Sequence, residues 1–349
     1  MKEGYRLLGD FIQPVDEQNR DLKVDYLLGV SISKQFIPSI ANIVGTDLSS
    51  YKIVRTGQFA YGPVTSRNGE KISIALLQDK DCIISSSYTV FEVTDNERLD
   101  PEYLMLWFSR PEFDRYTRYM SHGSVREIFD WDELCKVELP VPSIEKQRGI
   151  VKAYNTITDR IELKRKINDN LEAVLAASHS KMFFSMDTSE HSKLGELMTF
   201  GNGKSRPKTD GPIPVYGGNG VLSYTDHHNI ENAVLIGRVG AYCGSVYLEQ
   251  GICWVSDNAI FAKSKITKDE FFDYFLLKRL NLFNHHVGTG QQLLTQEILN
   301  NIEVPKPVTE QIELFNRKAA SVFETLFTNS REIIRLQELS DLLLSRLAG

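Results

Sequence analysis

The sequence predicts an α+β protein: two α/β units separated by two long antiparallel coiled-coil helices, arranged as a pseudo-two-fold internal repeat. Three observations predict it. A hexapeptide returns once further along the chain, each copy leads into a heptad stripe of matching phase, and each is preceded by short strands and an aromatic-rich helix.

The hexapeptide is Val137-Glu138-Leu139-Pro140-Val141-Pro142, which recurs as Ile302-Glu303-Val304-Pro305-Lys306-Pro307, an offset of 165. The same offset pairs Gly123 with Gly288, Ile128 with Leu293 and Leu134 with Leu299. Upstream, Cys82-Ile83-Ile84-Ser85 matches Cys253-Trp254-Val255-Ser256, and Leu8-Gly9-Asp10 matches Leu194-Gly195-Glu196. The stretch from Gly9 to Pro140 is longer than that from Gly195 to Pro305, so the length differences fall in the front of each repeat. The signals place the first unit at 1–140, the first long helix at 141–187, the second unit at 188–305 and the second long helix at 306–349.

Within the units, β-branched and aromatic runs predict strands at Tyr51–Val54, Cys82–Ile84, Tyr88–Val93, Ala233–Ile236 and Asn258–Phe261. Gly and Asn clusters such as Tyr216-Gly217-Gly218-Asn219-Gly220 punctuate them. Leu99–Phe113 and Lys268–Phe283 predict aromatic-rich helices whose rings belong to the cores.

After each Pro-x-Pro the pattern turns helical, with Ser143 or Thr309 available as caps and Glu in the first turn. The second stripe runs Ile312, Phe315, Ala319, Val322, Leu326, Asn329, Ile333, Leu336, Ser340, Leu343, Leu347. Subtracting 165 gives Gln147, Ile150, Tyr154, Ile157, Ile161, Lys164, Asn168, Leu171, Leu175 or Ala176, Ser178 and Met182. Spacing near 3.5 residues is the coiled-coil signature, and the matched polar positions Lys164 and Asn329 can fix register. The expected interface comprises Ile150, Tyr154, Ile157, Ile161, Leu171, Leu175, Phe315, Val322, Leu326, Ile333, Leu336 and Leu343. Helices of about 40 residues extend roughly 60 Å.

Composition narrows the function. With 42% hydrophobic and 25% charged residues in 349, the chain is that of a globular, two-domain protein. No apolar run of about 18 residues predicts a membrane span, and the N-terminus carries no signal-peptide pattern, so a cytoplasmic location is expected. Four scattered cysteines suggest neither disulfides nor a zinc cage. Gly201-Asn202-Gly203-Lys204-Ser205 ends like a phosphate loop, but Met198 stands where the first Gly is needed. The adjacent His227-His228 and His285-His286 diverge too much to share a metal, and no Gly-x-Ser-x-Gly or His-Glu-x-x-His motif occurs. Duplicated units without catalytic motifs favour recognition over catalysis, with no metal and no cofactor on this chain.

Two Leu-Gly openings, two Pro-x-Pro-x-x-Glu junctions (Pro140–Glu145, Pro305–Glu310) and two matched heptad helices occur in the same order twice. Val234-Leu235-Ile236-Gly237-Arg238 followed by Ser256-Asp257-Asn258-Ala259 adds to them. In these features the chain resembles the specificity subunits of type I restriction–modification systems, over essentially its full length. The resemblance implies that each unit is a target-recognition domain reading one half of a split, asymmetric double-stranded DNA sequence. It further implies that the helices dock two adenine-methyltransferase subunits, which carry S-adenosylmethionine, and that two restriction/translocase subunits can join them. One junction departs from its twin: Glu145-Lys146-Gln147 stands where the other reads Glu310-Gln311, one residue shorter.

Arg pairs bidentately with guanine and Asn or Gln with adenine, while Lys and hydroxyl groups mostly hold phosphate. The expected DNA contacts in the first unit are Arg55, Thr65, Ser66, Arg67, Asn68, Lys71 and Arg126. In the second they are Lys204, Arg206, Lys208, Tyr216, Asn219, Arg238, Gln291 and Gln292. A formal charge of −6 with pI near 5.7 predicts weak DNA binding by the chain alone, with partners closing around the duplex. A stand-alone DNA-binding regulator or a protein scaffold are the alternatives from composition and motifs.

Overall fold

The computed structural model describes residues 4–39, 45–66, 69–122, 127–184, 190–288 and 290–348. Two compact units emerge, Met1–Leu163 with Ile333–Gly349, and Lys164–Glu332. Each therefore contains an α/β body and a stretch of both long helices.

The first body is built on a four-stranded antiparallel sheet in the order Ile12–Val15, Thr89–Val93, Phe59–Tyr61, Ile74–Leu76. Phe59 stacks on Phe91 at 4.9 Å, and Phe108 meets Phe91 edge-on at 6.3 Å, so the sheet packs on the helix Pro101–Phe108 through rings. Asp100 caps that helix by accepting from Tyr103 N at 3.0 Å. The sequence predicts one helix over Leu99–Phe113. There are two, because Pro111 has no N–H to continue the first and instead starts Pro111–Met120.

The second body carries a six-stranded sheet, ordered Met198–Asn202, Ala259–Ser264, Ile230–Gly237, Val246–Val255, Ile213–Gly217, Gly220–Thr225. Only the pairing of Ile213–Gly217 with Val246–Val255 is parallel. Its helix is shorter than predicted, Phe271–Arg279, and ends where Asn281 takes a left-handed conformation before a 3-10 turn.

The repeat is visible bond by bond. Tyr5–Leu7 pairs with Glu138–Pro140, and His191–Lys193 pairs with Glu303–Pro305, the second partner in each case shifted by 165. Leu8 N donates to Val137 O and Leu194 N to Ile302 O. Asp130 and Thr295, again 165 apart, cap matching short helices by accepting from Glu133 N and Ile298 N. The Leu-Gly openings have a steric cause at the first copy: a Cβ on Gly9 would lie 2.9 Å from Cys135 Cβ.

The long helices run Ile144–Phe184 and Thr309–Ser345. In the second unit Lys164 bonds Glu332 at 2.8 Å and the His179 ring lies 5.3 Å from Phe315, an antiparallel order. In the first, Val151 shares a core with Leu344 and Leu347, in the same sense. Of the expected interface positions, Ile161, Leu175 and Phe315 are buried and the other nine half-buried. Beyond that stripe, Val151, His179, Phe183, Phe323 and Leu344 are buried too, because each stretch of helix also packs on the α/β body of the unit it lies in.

Two junction expectations need correction. No residue is missing from the second: Gln311 takes the place of Lys146 and Ile312 that of Gln147, as the unbroken 165 offset on both sides requires. Thr309 is not the counterpart of the cap Ser143. That place belongs to Val308, whose carbonyl accepts from Ile312 N as Ser143 O does from Gln147 N, and whose side chain offers no cap.

Candidate nucleic-acid interface

One backbone crossing recurs in both units and carries Thr65 in the first and Arg238 and Gln292 in the second among the expected contact residues. In the first, Thr65 N donates to Glu127 O at 3.0 Å and Phe129 N to Pro63 O at 2.9 Å. In the second, Gly240 N donates to Gln292 O at 3.0 Å and Leu294 N to Arg238 O at 2.9 Å. A further single-residue bridge joins the same crossing in each unit, His122 with Ile128 and Val287 with Leu293. The scaffold is thus duplicated while the side chains on it differ.

In the second unit this crossing brings Arg238 and Gln292 together, with Gln291 exposed beside them. Arg238 N donates to Asn258 O at 3.0 Å, tying in the turn that ends at Ala259. Asn219 is exposed at the tip of the Ile213–Thr225 hairpin. Lys204, Arg206 and Lys208 are exposed on the segment leaving the strand Met198–Asn202. Lys204 N donates to Val255 O at 2.9 Å, and its carbonyl accepts from Trp254 Nε1 at 3.3 Å. Gly203 makes this approach possible, since a Cβ there would lie 1.9 Å from Ser256 O. No helix follows Ser205, so the segment is not a phosphate-binding strand-to-helix loop. Arg206, Lys208 and Tyr224 border a shallow depression of about 300 Å³ with Thr209 and Asp210.

Several expected contacts are committed elsewhere. Arg55 is fastened to Glu17 and Asp81, and these carboxylates raise the pKa of its guanidinium while Arg55 lowers that of Asp81. Thr65 is buried, its Oγ1 hydrogen-bonded to Ser121 Oγ at 2.9 Å, so it anchors the loop rather than presenting a hydroxyl. Tyr216 donates its hydroxyl to Glu249 Oε2 at 2.9 Å, and burial, with that carboxylate beside it, pushes its pKa well up. Ser66 and Lys71 are exposed. Arg67, Asn68 and Arg126 lie outside the described residues. Two exposed rings went unread in the sequence: Tyr224 and Tyr242, beside Lys208 and the Arg238 crossing respectively. Nothing in the sequence distinguishes these tyrosines from the buried Tyr61, Tyr103 and Tyr274.

Among the described residues no group of three or more His, Cys, Asp or Glu side chains could hold a metal ion, and no helix is long and apolar enough to cross a membrane. His227 bonds Asp226 and Thr209, and His286 Nδ1 meets Phe283 O.

Duplicated α/β bodies, helices paired antiparallel, a repeated crossing that bears Arg238 in one copy, and exposed cations on the segment after Met198–Asn202 define a macromolecular recognition protein. The model of the type I restriction modification DNA specificity domain matches residues 35–173 and again 186–342. The chain belongs to that family and is a type I restriction–modification specificity subunit, a non-catalytic DNA-recognition component. It is 21% identical over 296 residues to the MjaIX specificity subunit of Methanocaldococcus jannaschii, covering 70% of this chain and 68% of that one. With the HindI specificity subunit of Haemophilus influenzae it shares 25% identity over 154 residues, 42% of this chain and 32% of the relative. The crystal structure of the S subunit of a type I system from M. genitalium superposes with a TM-score of 0.66 at 16% identity, covering 99% of this chain and 96% of that one.

Proposed function

We propose that this subunit reads a bipartite, asymmetric DNA target, one half-site per unit, with the readers within 1–140 and 188–305. The long helices dock two methyltransferase subunits that carry S-adenosylmethionine and methylate adenine, two restriction/translocase subunits can join, and the complex acts in the cytoplasm. The repeated crossing supports this reading most directly: one scaffold, presented twice, bears Pro63 and Glu127 in one copy and Arg238 and Gln292 in the other. Equal scaffolds with unequal side chains suit two half-sites of unequal sequence. The net charge of −6 supports partner-assisted binding, since few phosphate contacts are available to an acidic chain.

Affinity purification from the native cell, followed by DNA binding with and without the copurified chains, tests the proposal. Methyltransferase subunits should copurify, and the isolated chain should bind a target duplex far more weakly than the complex at physiological salt. Nanomolar binding by the isolated chain, with no methyltransferase copurifying, would instead mark a stand-alone regulator.

A further inference from the structure

The hydrogen bonds of the repeated crossing make Pro63 and Arg238 structural equivalents, since their carbonyls accept from Phe129 N and Leu294 N, a pair at the repeat offset. One unit thus holds an apolar ring, without an N–H, where the other holds a guanidinium. Arg238 is held at both ends of its backbone, its N–H by Asn258 O and its carbonyl by Leu294 N. Its side chain is half-buried, and Nε is shielded from water with no hydrogen-bond partner among the described residues. Nor does it meet a carboxylate there, unlike Arg55 with Glu17 and Asp81 or Arg118 with Glu127. A half-buried cation without a counter-charge costs stability, and a fixed backbone removes much of the freedom that such a side chain would lose on binding. The arrangement suits a group that finds its acceptors on a ligand. Arg offers a planar fork matching O6 and N7 of guanine in the major groove.

We propose that Arg238 is a specificity-determining residue that reads one guanine of the half-site recognised by the second unit, and that the matched place in the first unit reads none. This rests on the reading that each unit recognises one half-site.

The test uses the whole complex in cells lacking the gene, complemented with wild type, Arg238→Ala, Arg238→Lys or Arg238→Gln, with adenine methylation mapped across the genome. Wild type should restore a two-part motif with a fixed guanine in one half. Arg238→Ala and Arg238→Lys should relax that one position by roughly tenfold or more, leaving the other half intact. Arg238→Gln should shift the preference there toward adenine. If Arg238→Ala lowers methylation at every site without changing the motif, Arg238 is a phosphate contact and the proposal fails. An unchanged motif in all three variants, or loss of all methylation in all three, overturns it as well. If the wild-type motif has a single part or does not depend on this chain, the half-site reading falls too, and the two failures are told apart.

Discussion

Lys164 Nζ donates to Asn329 Oδ1 at 2.8 Å, and the two positions are 165 apart, the offset of the repeat itself. In an antiparallel pair of duplicated helices, a residue meets its own copy only at the local two-fold of the pair. The matched polar positions Lys164 and Asn329 of the two stripes are therefore a single contact. Lys164 also pairs with Glu332, and Asn329 Nδ2 donates to Asn168 Oδ1, both at 2.8 Å.

Breaking this network from one side leaves polar groups without partners. Lys164→Leu should cost about 1–3 kcal/mol, the typical penalty for an unsatisfied buried group, read as a drop in thermal midpoint. Lys164→Leu combined with Asn329→Leu should recover at least half of that loss, because apolar pairs replace buried polar ones at little cost. A double variant less stable than the single one contradicts the assignment.

Gly203 tests the link between backbone and recognition. Alanine there places a Cβ 1.9 Å from a main-chain oxygen, which no rotamer change can relieve, so the segment bearing Lys204, Arg206 and Lys208 must shift. The expected outcome is loss of discrimination in the second half-site with the first retained, measured by competition binding of the complex to duplexes altered in one half. Equal loss in both halves argues against independent readers.

Lys204 is exposed and forms no ion pair among the described residues. As a phosphate contact, its removal should weaken binding uniformly across sequences and lower the slope of log K against log salt by about 1. An unchanged slope in Lys204→Ala excludes it from the interface.

Two buried groups of the second unit give opposite pH dependences. Burial among Phe183, Phe272, Phe275 and Phe315, with the charge of Arg279 adding to it, pushes His179 down to about 4. Its contribution is whole above pH 6.5 and is lost as pH falls toward 4, where only the unfolded chain binds the proton; about 3 kcal/mol is at stake. Burial also pushes Asp273 up to about 7. Its contribution is whole below pH 3.8 and is lost as pH rises through 7, because the unfolded carboxyl ionises first. His179→Leu should flatten the fall in stability between pH 6.5 and 4. Asp273→Asn should stabilise at pH 8 and give no advantage at pH 4. Chemical denaturation across this range checks both, and parallel profiles for wild type and Asp273→Asn contradict the second.

The architecture could be read from the sequence because its signals are local. Pro-x-Pro junctions, heptad spacing and the Leu-Gly openings each lie within a few residues, and they located both helices and the repeated hexapeptide, whose pairing as the strands Glu138–Pro140 and Glu303–Pro305 only the fold reveals. The site was less legible because availability depends on distant partners. Arg55 is neutralised by Glu17, 38 positions earlier, and by Asp81, while Tyr216 is engaged by Glu249, 33 positions later. Thr65 looks like a loop hydroxyl in the sequence, and only the fold shows it buried against Ser121. The equivalence of Pro63 and Arg238 was hidden for another reason. Their separation along the chain exceeds the repeat offset, since the fronts of the two repeats differ in length.

The most direct measurement is genome-wide mapping of methylated adenine in the native cell with the gene intact and deleted. The account predicts a two-part motif with unlike halves that is present in the parent and absent from the deletion strain. A methylation pattern that survives deletion unchanged would contradict it.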